Sequence, residues 1–71
     1  MKKILEMQNK DYTVYAEREN RGETMYTIED SNDNVIYHTE SYRDAVQTCA
    51  YLQTKLDNAR WLEVVKNYET Q

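Results

Sequence analysis

Three short runs that alternate apolar and polar residues occupy the first half of the chain and predict β-strands. The runs are rich in β-branched and aromatic residues, which favour the pleated, half-buried environment of a sheet. They are Tyr12-Thr13-Val14-Tyr15-Ala16, Thr24-Met25-Tyr26-Thr27-Ile28 and Val35-Ile36-Tyr37-His38-Thr39. A fourth run, Ile4-Leu5-Glu6-Met7, is either another strand or an apolar arm packed on the sheet. The pattern predicts an antiparallel meander of three or four strands.

Polar segments with turn-forming residues separate these runs. Asn20-Arg21-Gly22 contains the only glycine of the chain, a residue that accepts a positive φ without steric cost. The cluster from Asp30 to Asn34 carries Asp, Asn and Ser side chains, which hydrogen-bond their own backbone in turns. Both segments predict reversals that join neighbouring antiparallel strands.

After Thr39 the period of the apolar residues changes from two to about 3.6, which predicts a helix. Ser41 and Asp44 resemble a capping box, with Asp in place of the usual Glu, and place the helix start near Tyr42. The apolar positions that follow fall within an arc of roughly 100°, the width of a stripe packed on a sheet. They are Tyr42, Ala45, Cys49, Leu52, Leu56 and Ala59. The predicted fold class is therefore α+β.

A second apolar stripe begins beyond Ala59 and is centred roughly 140° around the helix from the first. Its members are Trp61, Val64, Val65 and Tyr68. Either the helix breaks near Asp57-Asn58 and a second helix folds back, or one helix continues and turns this stripe outward. A single helix would be about 40 Å long and would overhang the sheet. We then expect the second stripe to contact a second subunit, as a self-association surface of a homodimer, or a target protein.

Length and charge limit the classes of function. Seventy-one residues are expected to form one domain, residues 1–71, near the lower size limit for folding alone. Thirteen acidic and nine basic residues give a net charge of −4, which argues against binding duplex nucleic acid. A single cysteine excludes an internal disulfide and favours the cytoplasm. Because the chain has no run of about 18 apolar residues, we expect no membrane span.

Few residues are suited to catalysis or metal binding. His38 and Cys49 are single residues of their kinds, too few for structural zinc, and a thiol on the buried stripe is usually inert. Asp30, Asn32 and Asn34 match the start of a calcium loop. However, Val35 and Ser41 occupy the places of its required glycine and glutamate. With one glycine no phosphate-binding loop is formed. We expect no enzyme activity, no metal and no cofactor.

The aromatic composition is biased, with seven Tyr, one Trp and no Phe. Tyrosine combines an apolar ring with a polar tip and is enriched at interfaces. Because side chains alternate along a strand, Tyr12 and Tyr15 point to opposite faces, so at least one tyrosine faces outward. We expect a protein partner to contact this surface, through Tyr15, Glu17, Tyr26 and Tyr37. The alternative function is binding of single-stranded nucleic acid, with the tyrosines stacking on unpaired bases.

Two resemblances add to this interpretation. The segment from Tyr26 through Asp33-Asn34-Val35-Ile36 to Ser41-Tyr42 and Ala45 is similar to a strand–turn–strand–helix unit in small bacterial domains of the YegP type. That likeness implies a local fold and no functional residue. The short, acidic, tyrosine- and asparagine-rich composition resembles small early proteins of bacteriophages. It implies a phage- or mobile-element-encoded inhibitor or regulator of a host protein in the bacterial cytoplasm, such as a defence nuclease (anti-CRISPR or anti-restriction type).

Overall fold

Four antiparallel strands form one sheet in the computed structural model of the chain. The structure describes residues 2–18 and 22–69, and the side chains of all of these except residues 2 and 69. The strands are β1 (Lys2–Gln8), β2 (Thr13–Arg18), β3 (Thr24–Glu29) and β4 (Val35–Thr39). They lie side by side in sequence order, so the meander is confirmed and its first run is a strand.

The connections have the backbone geometry that their residues favour. The predicted reversal at Asn20-Arg21-Gly22 falls mostly outside the described residues, but Gly22 has a φ of 84°. In the β3–β4 loop, one carboxylate oxygen of Asp30 accepts hydrogen bonds from the backbone N–H groups of Asn32 at 2.9 Å and Asn34 at 3.0 Å. Asp33 has a φ of 64°, the left-handed conformation that short polar side chains tolerate. The Asp30 carboxylate therefore acts in turn formation.

One continuous helix, α1 (Tyr42–Glu69), follows the sheet, so of the two predicted alternatives the single helix is confirmed. The hydroxyl of Ser41 accepts a hydrogen bond from the backbone N–H of Asp44 at 3.1 Å, as an N-cap residue does. The Asp44 carboxylate does not complete the predicted capping box with Ser41. It accepts instead from the hydroxyl groups of Tyr37 at 2.7 Å and Thr48 at 3.2 Å. The bond from Tyr37 attaches the start of the helix to the edge strand β4.

The core lies between the helix and one face of the sheet. Val14, Ile28, Ala45 and Cys49 are completely buried and pack together. Partly buried side chains surround them: Met7, Tyr12, Tyr26, Tyr37 and Leu52. Burial decreases along the helix, because the later members of the first predicted stripe, Leu56 and Ala59, are half-buried and exposed, respectively. Contact between the helix and the sheet therefore ends near Leu56.

The helix is much longer than the sheet is tall. Its 28 residues span about 42 Å, whereas a strand of six residues spans about 20 Å. The molecule measures 58 × 21 × 15 Å, with a radius of gyration of 15.4 Å. A compact domain of 71 residues has a radius of gyration of about 11 Å. The last turns of α1 therefore extend beyond the sheet, and we call helix residues 61–68 the projecting segment.

Candidate functional site

The projecting segment exposes a continuous apolar surface. Trp61 is 65% exposed, Val64 57% and Tyr68 80%, whereas Val65 is half-buried. These four side chains line a shallow open depression of about 340 Å³. The predicted second stripe is thus not folded back onto the core. Apolar patches on soluble monomers are usually small, and larger ones mark sites of interaction.

A cluster of hydrogen bonds fixes the helix at the point where the projecting segment begins. Asp11, in the β1–β2 loop, accepts two bonds from the Arg60 guanidinium at 2.6 and 2.8 Å. Gln53 donates to the Asp11 carboxylate at 2.8 Å and accepts from the Asp11 backbone N–H at 2.9 Å. The bonds from Arg60 and Gln53 lower the pKa of Asp11 to about 2. We call this set of bonds among Asp11, Gln53 and Arg60 the clasp. It ties the β1–β2 loop to the helix directly before the projecting segment.

The sheet face opposite the helix carries a second group of functional interest, Lys3, Tyr15, Thr27 and Glu29, which we call the open-face cluster. Tyr15 and Thr27 are direct cross-strand neighbours, and Glu29 follows two residues later on the same face. Lys3 forms an ion pair with Glu29, and its ammonium lies 4.2 Å from the centroid of the Tyr15 ring. The ion pair with Glu29 raises the pKa of Lys3.

Burial distinguishes the acidic member of this cluster from an ordinary surface carboxylate. Glu29 is only 5% exposed and Thr27 only 8%. Among the described residues the Thr27 hydroxyl has no hydrogen-bond partner. The sequence did not indicate that Glu29 is buried, because a strand-end glutamate usually extends into solvent and nothing nearby in sequence marks Lys3 as its partner.

The four residues predicted to contact a partner lie on two different faces. Tyr15 and Glu17 are on the open face, where Glu17 is the register partner of Lys3. Tyr26 and Tyr37 instead pack against the core beneath the helix. Tyr26 makes an edge-to-face contact with Tyr42 at 5.5 Å. The hydroxyl of Tyr37 donates to the Asp44 carboxylate, a bond that raises the pKa of the tyrosine and lowers that of the aspartate. Tyr15 and Glu17 are therefore the predicted pair available on the open face.

Cys49 and His38 do not come together. Cys49 is fully buried between helix and sheet, where burial raises the pKa of its thiol. The side-chain amide of Asn9 lies 3.4 Å from the sulfur and donates to it. His38 is exposed on β4 opposite Thr27, and therefore on the other face of the sheet. Within the described part of the chain, no three His, Cys, Asp or Glu side chains form a group suited to a metal ion.

No protein-family model matches the chain, and neither a curated protein nor a solved structure matches it significantly. Across residues 2–18 and 22–69, α1 is too polar to cross a membrane. The candidate sites are therefore the projecting segment and the open-face cluster.

Proposed function

We propose that this chain is a non-enzymatic protein-binding module that self-associates through its projecting segment and presents its open sheet face to another protein. The observation that carries the proposal is the exposed stripe on a helix end without a sheet beneath it. Isolated helices shorter than about 12–15 residues are marginal in water, so an unsupported helix end gains from tertiary contact. A second copy of the chain supplies such a contact.

Charge placement supports a second copy as the occupant. The charged residues of the projecting segment, Glu63 and Lys66, lie roughly 150° from the centre of the stripe at 100° per residue. Two stripes can therefore meet without burying these charges. Burial of the charges would carry a desolvation cost. An antiparallel arrangement also places the two sheets at opposite ends of the helix pair. This separates two chains that each carry a net charge of −4.

The exposed area is adequate for a weak dimer. An aromatic side chain covers roughly 150–250 Å², so Trp61 and Tyr68, at 65% and 80% exposure, together offer roughly 300 Å² per copy. At about 25 cal/mol per Å², burying that area in both copies contributes about 15 kcal/mol. Association itself costs about 4–15 kcal/mol. The remainder is about 0–11 kcal/mol, and its middle value of about 5.5 kcal/mol corresponds to a dissociation constant of about 100 μM.

The narrower form of the proposal is an inhibitor or regulator of a host protein, encoded by a phage or mobile element and acting in the bacterial cytoplasm. Its support is the small, acidic, tyrosine-rich composition. The alternative function, binding of single-stranded nucleic acid, has less support, because base stacking normally uses several aromatic side chains on one surface. Of the three tyrosines considered for that surface, only Tyr15 lies on the open face.

Sedimentation velocity over a concentration series tests self-association. We expect the wild type to shift from monomer to dimer with concentration and Trp61→Ala to remain monomeric throughout. Tyr51→Ala is a matched control, because Tyr51 is 61% exposed on the same helix but about a quarter turn away from the stripe. It should behave as the wild type does. A wild type that stays monomeric at hundreds of micromolar, or equal effects of the two substitutions, would contradict the proposal.

A further inference from the structure

We propose that the open-face cluster binds the guanidinium group of an arginine side chain on a protein partner, and that Lys3 occupies this site until the arginine displaces it. The inference rests on the proposed protein-binding function, for which it specifies the chemistry that the open face recognises. It depends on residues far from the projecting segment. Failure of one proposal is therefore distinguishable from failure of the other.

The carboxylate side chain of Glu29 is buried on the open face of the sheet. Glutamate is almost never fully buried unless it is paired, since desolvation of the charge is costly. Here the side chain of Glu29 is 6% exposed, and its ion-pair partner Lys3 is 42% exposed. The site therefore holds a cation over a desolvated carboxylate and leaves that cation accessible from solvent. A partner's cation approaching the open face meets Lys3 first.

The remaining groups of the cluster also suit a cation. The Thr27 hydroxyl is buried without a hydrogen-bond partner in the described residues, so it is available to accept one. The Tyr15 ring already lies 4.2 Å from the Lys3 ammonium, within the range of a cation–π contact. A carboxylate, a free hydroxyl and an aromatic face together form a site for a positively charged group.

Guanidinium fits this set better than ammonium. Its planar fork presents several N–H donors in fixed directions and stacks on aromatic rings. It can donate to Glu29 and Thr27 at once while lying over Tyr15, whereas Lys3 pairs with Glu29 and leaves the Thr27 hydroxyl unbonded. Lys3 thus shows the class of ligand that the site accepts. The net charge of −4 further favours the approach of a basic partner.

An NMR titration with N-acetyl-L-arginine methylamide tests the site, with the citrulline analogue as the neutral probe of the same shape. In Lys3→Met we expect saturable amide shifts at Tyr15, Thr27 and His38, with a dissociation constant on the order of millimolar, as for a single exposed contact. The tethered Lys3 acts as a competitor at an effective concentration in the millimolar range, similar to the expected dissociation constant, so the wild type should bind at least about twofold more weakly. Citrulline should give no saturable shifts.

Two carboxylate variants complete the test. In the Lys3→Met background, Glu29→Gln should abolish arginine binding, whereas Glu17→Gln, on the same face, should change it no more than about twofold. If Lys3→Met does not fold alone, about 50 mM of the arginine probe should restore its folded spectrum while citrulline does not. The proposal is wrong if neither saturable shifts nor rescue is observed. It is also wrong if arginine and citrulline give equal responses, or if the wild type and Lys3→Met bind arginine equally.

Discussion

Replacing Ile28 with smaller residues tests whether the few buried side chains carry the stability of this fold. Ile28 is completely buried and lies between Val14 and Tyr37 in the cross-strand register. Ile28→Val removes one methylene and should cost about 1 kcal/mol of unfolding free energy, whereas Ile28→Ala should cost about 2–5 kcal/mol. A domain of this size has a margin of about 3–5 kcal/mol. The unfolding free energy of Ile28→Ala should therefore lie between about +3 and −2 kcal/mol, at the limit of folding.

Urea unfolding followed by far-ultraviolet circular dichroism is the suitable assay, because Trp61, the only tryptophan, lies outside the core. Low protein concentration keeps self-association from adding to the measured stability. Ile36→Val makes the same chemical change at a side chain 43% exposed and should stay within about 0.5 kcal/mol of the wild type. Equal losses for Ile28→Val and Ile36→Val, or a loss below about 1 kcal/mol for Ile28→Ala, would refute this account of the core.

Two further predictions concern the clasp and the thiol. The folded pKa of Asp11 lies below its usual 3.8, so its contribution to stability is complete above that value and is lost as the pH falls through 3.8 to about 2. The stability difference between wild type and Asp11→Asn in urea unfolding should vanish over that range, and a difference unchanged at pH 2 would count against the clasp. Iodoacetamide should modify Cys49 slowly in the native protein and rapidly in urea, since burial shields the thiol and raises its pKa. Rapid native alkylation would contradict that placement.

Local periodicity of apolar residues predicted much of the fold. The bounds of β4 agree with the predicted run, and α1 begins at the predicted Tyr42, because the change of period from two to 3.6 reports directly which positions meet a core. The exposure of Trp61 and Tyr68 follows from their angular positions at 100° per residue, once the helix is known to be continuous. Periodicity does not show which face of the sheet the helix covers. That face decides whether Tyr26 and Tyr37 pack against the core or point away from it.

Tertiary structure decided the features that join distant parts of the chain. A bulge between Leu5 and Met7 puts Leu5 opposite Tyr15 and Met7 opposite Val14, so β1 contributes to both faces in a way that simple alternation does not predict. The partners Lys3 and Glu29 are on β1 and β3, with β2 between them, and they meet only because the register brings them together.

The amino-acid sequence alone determined three of the four strands, the start of the helix and the two apolar stripes, because each depends on the spacing of neighbouring residues. It left open whether the helix breaks near Asp57, since no glycine or proline marks that position. In the folded chain the bonds from Arg60 and Gln53 to Asp11 bind the unbroken helix to a loop more than 40 residues earlier. Such contacts depend on the path of the whole backbone, and therefore only the tertiary structure could place the projecting segment and the buried carboxylate.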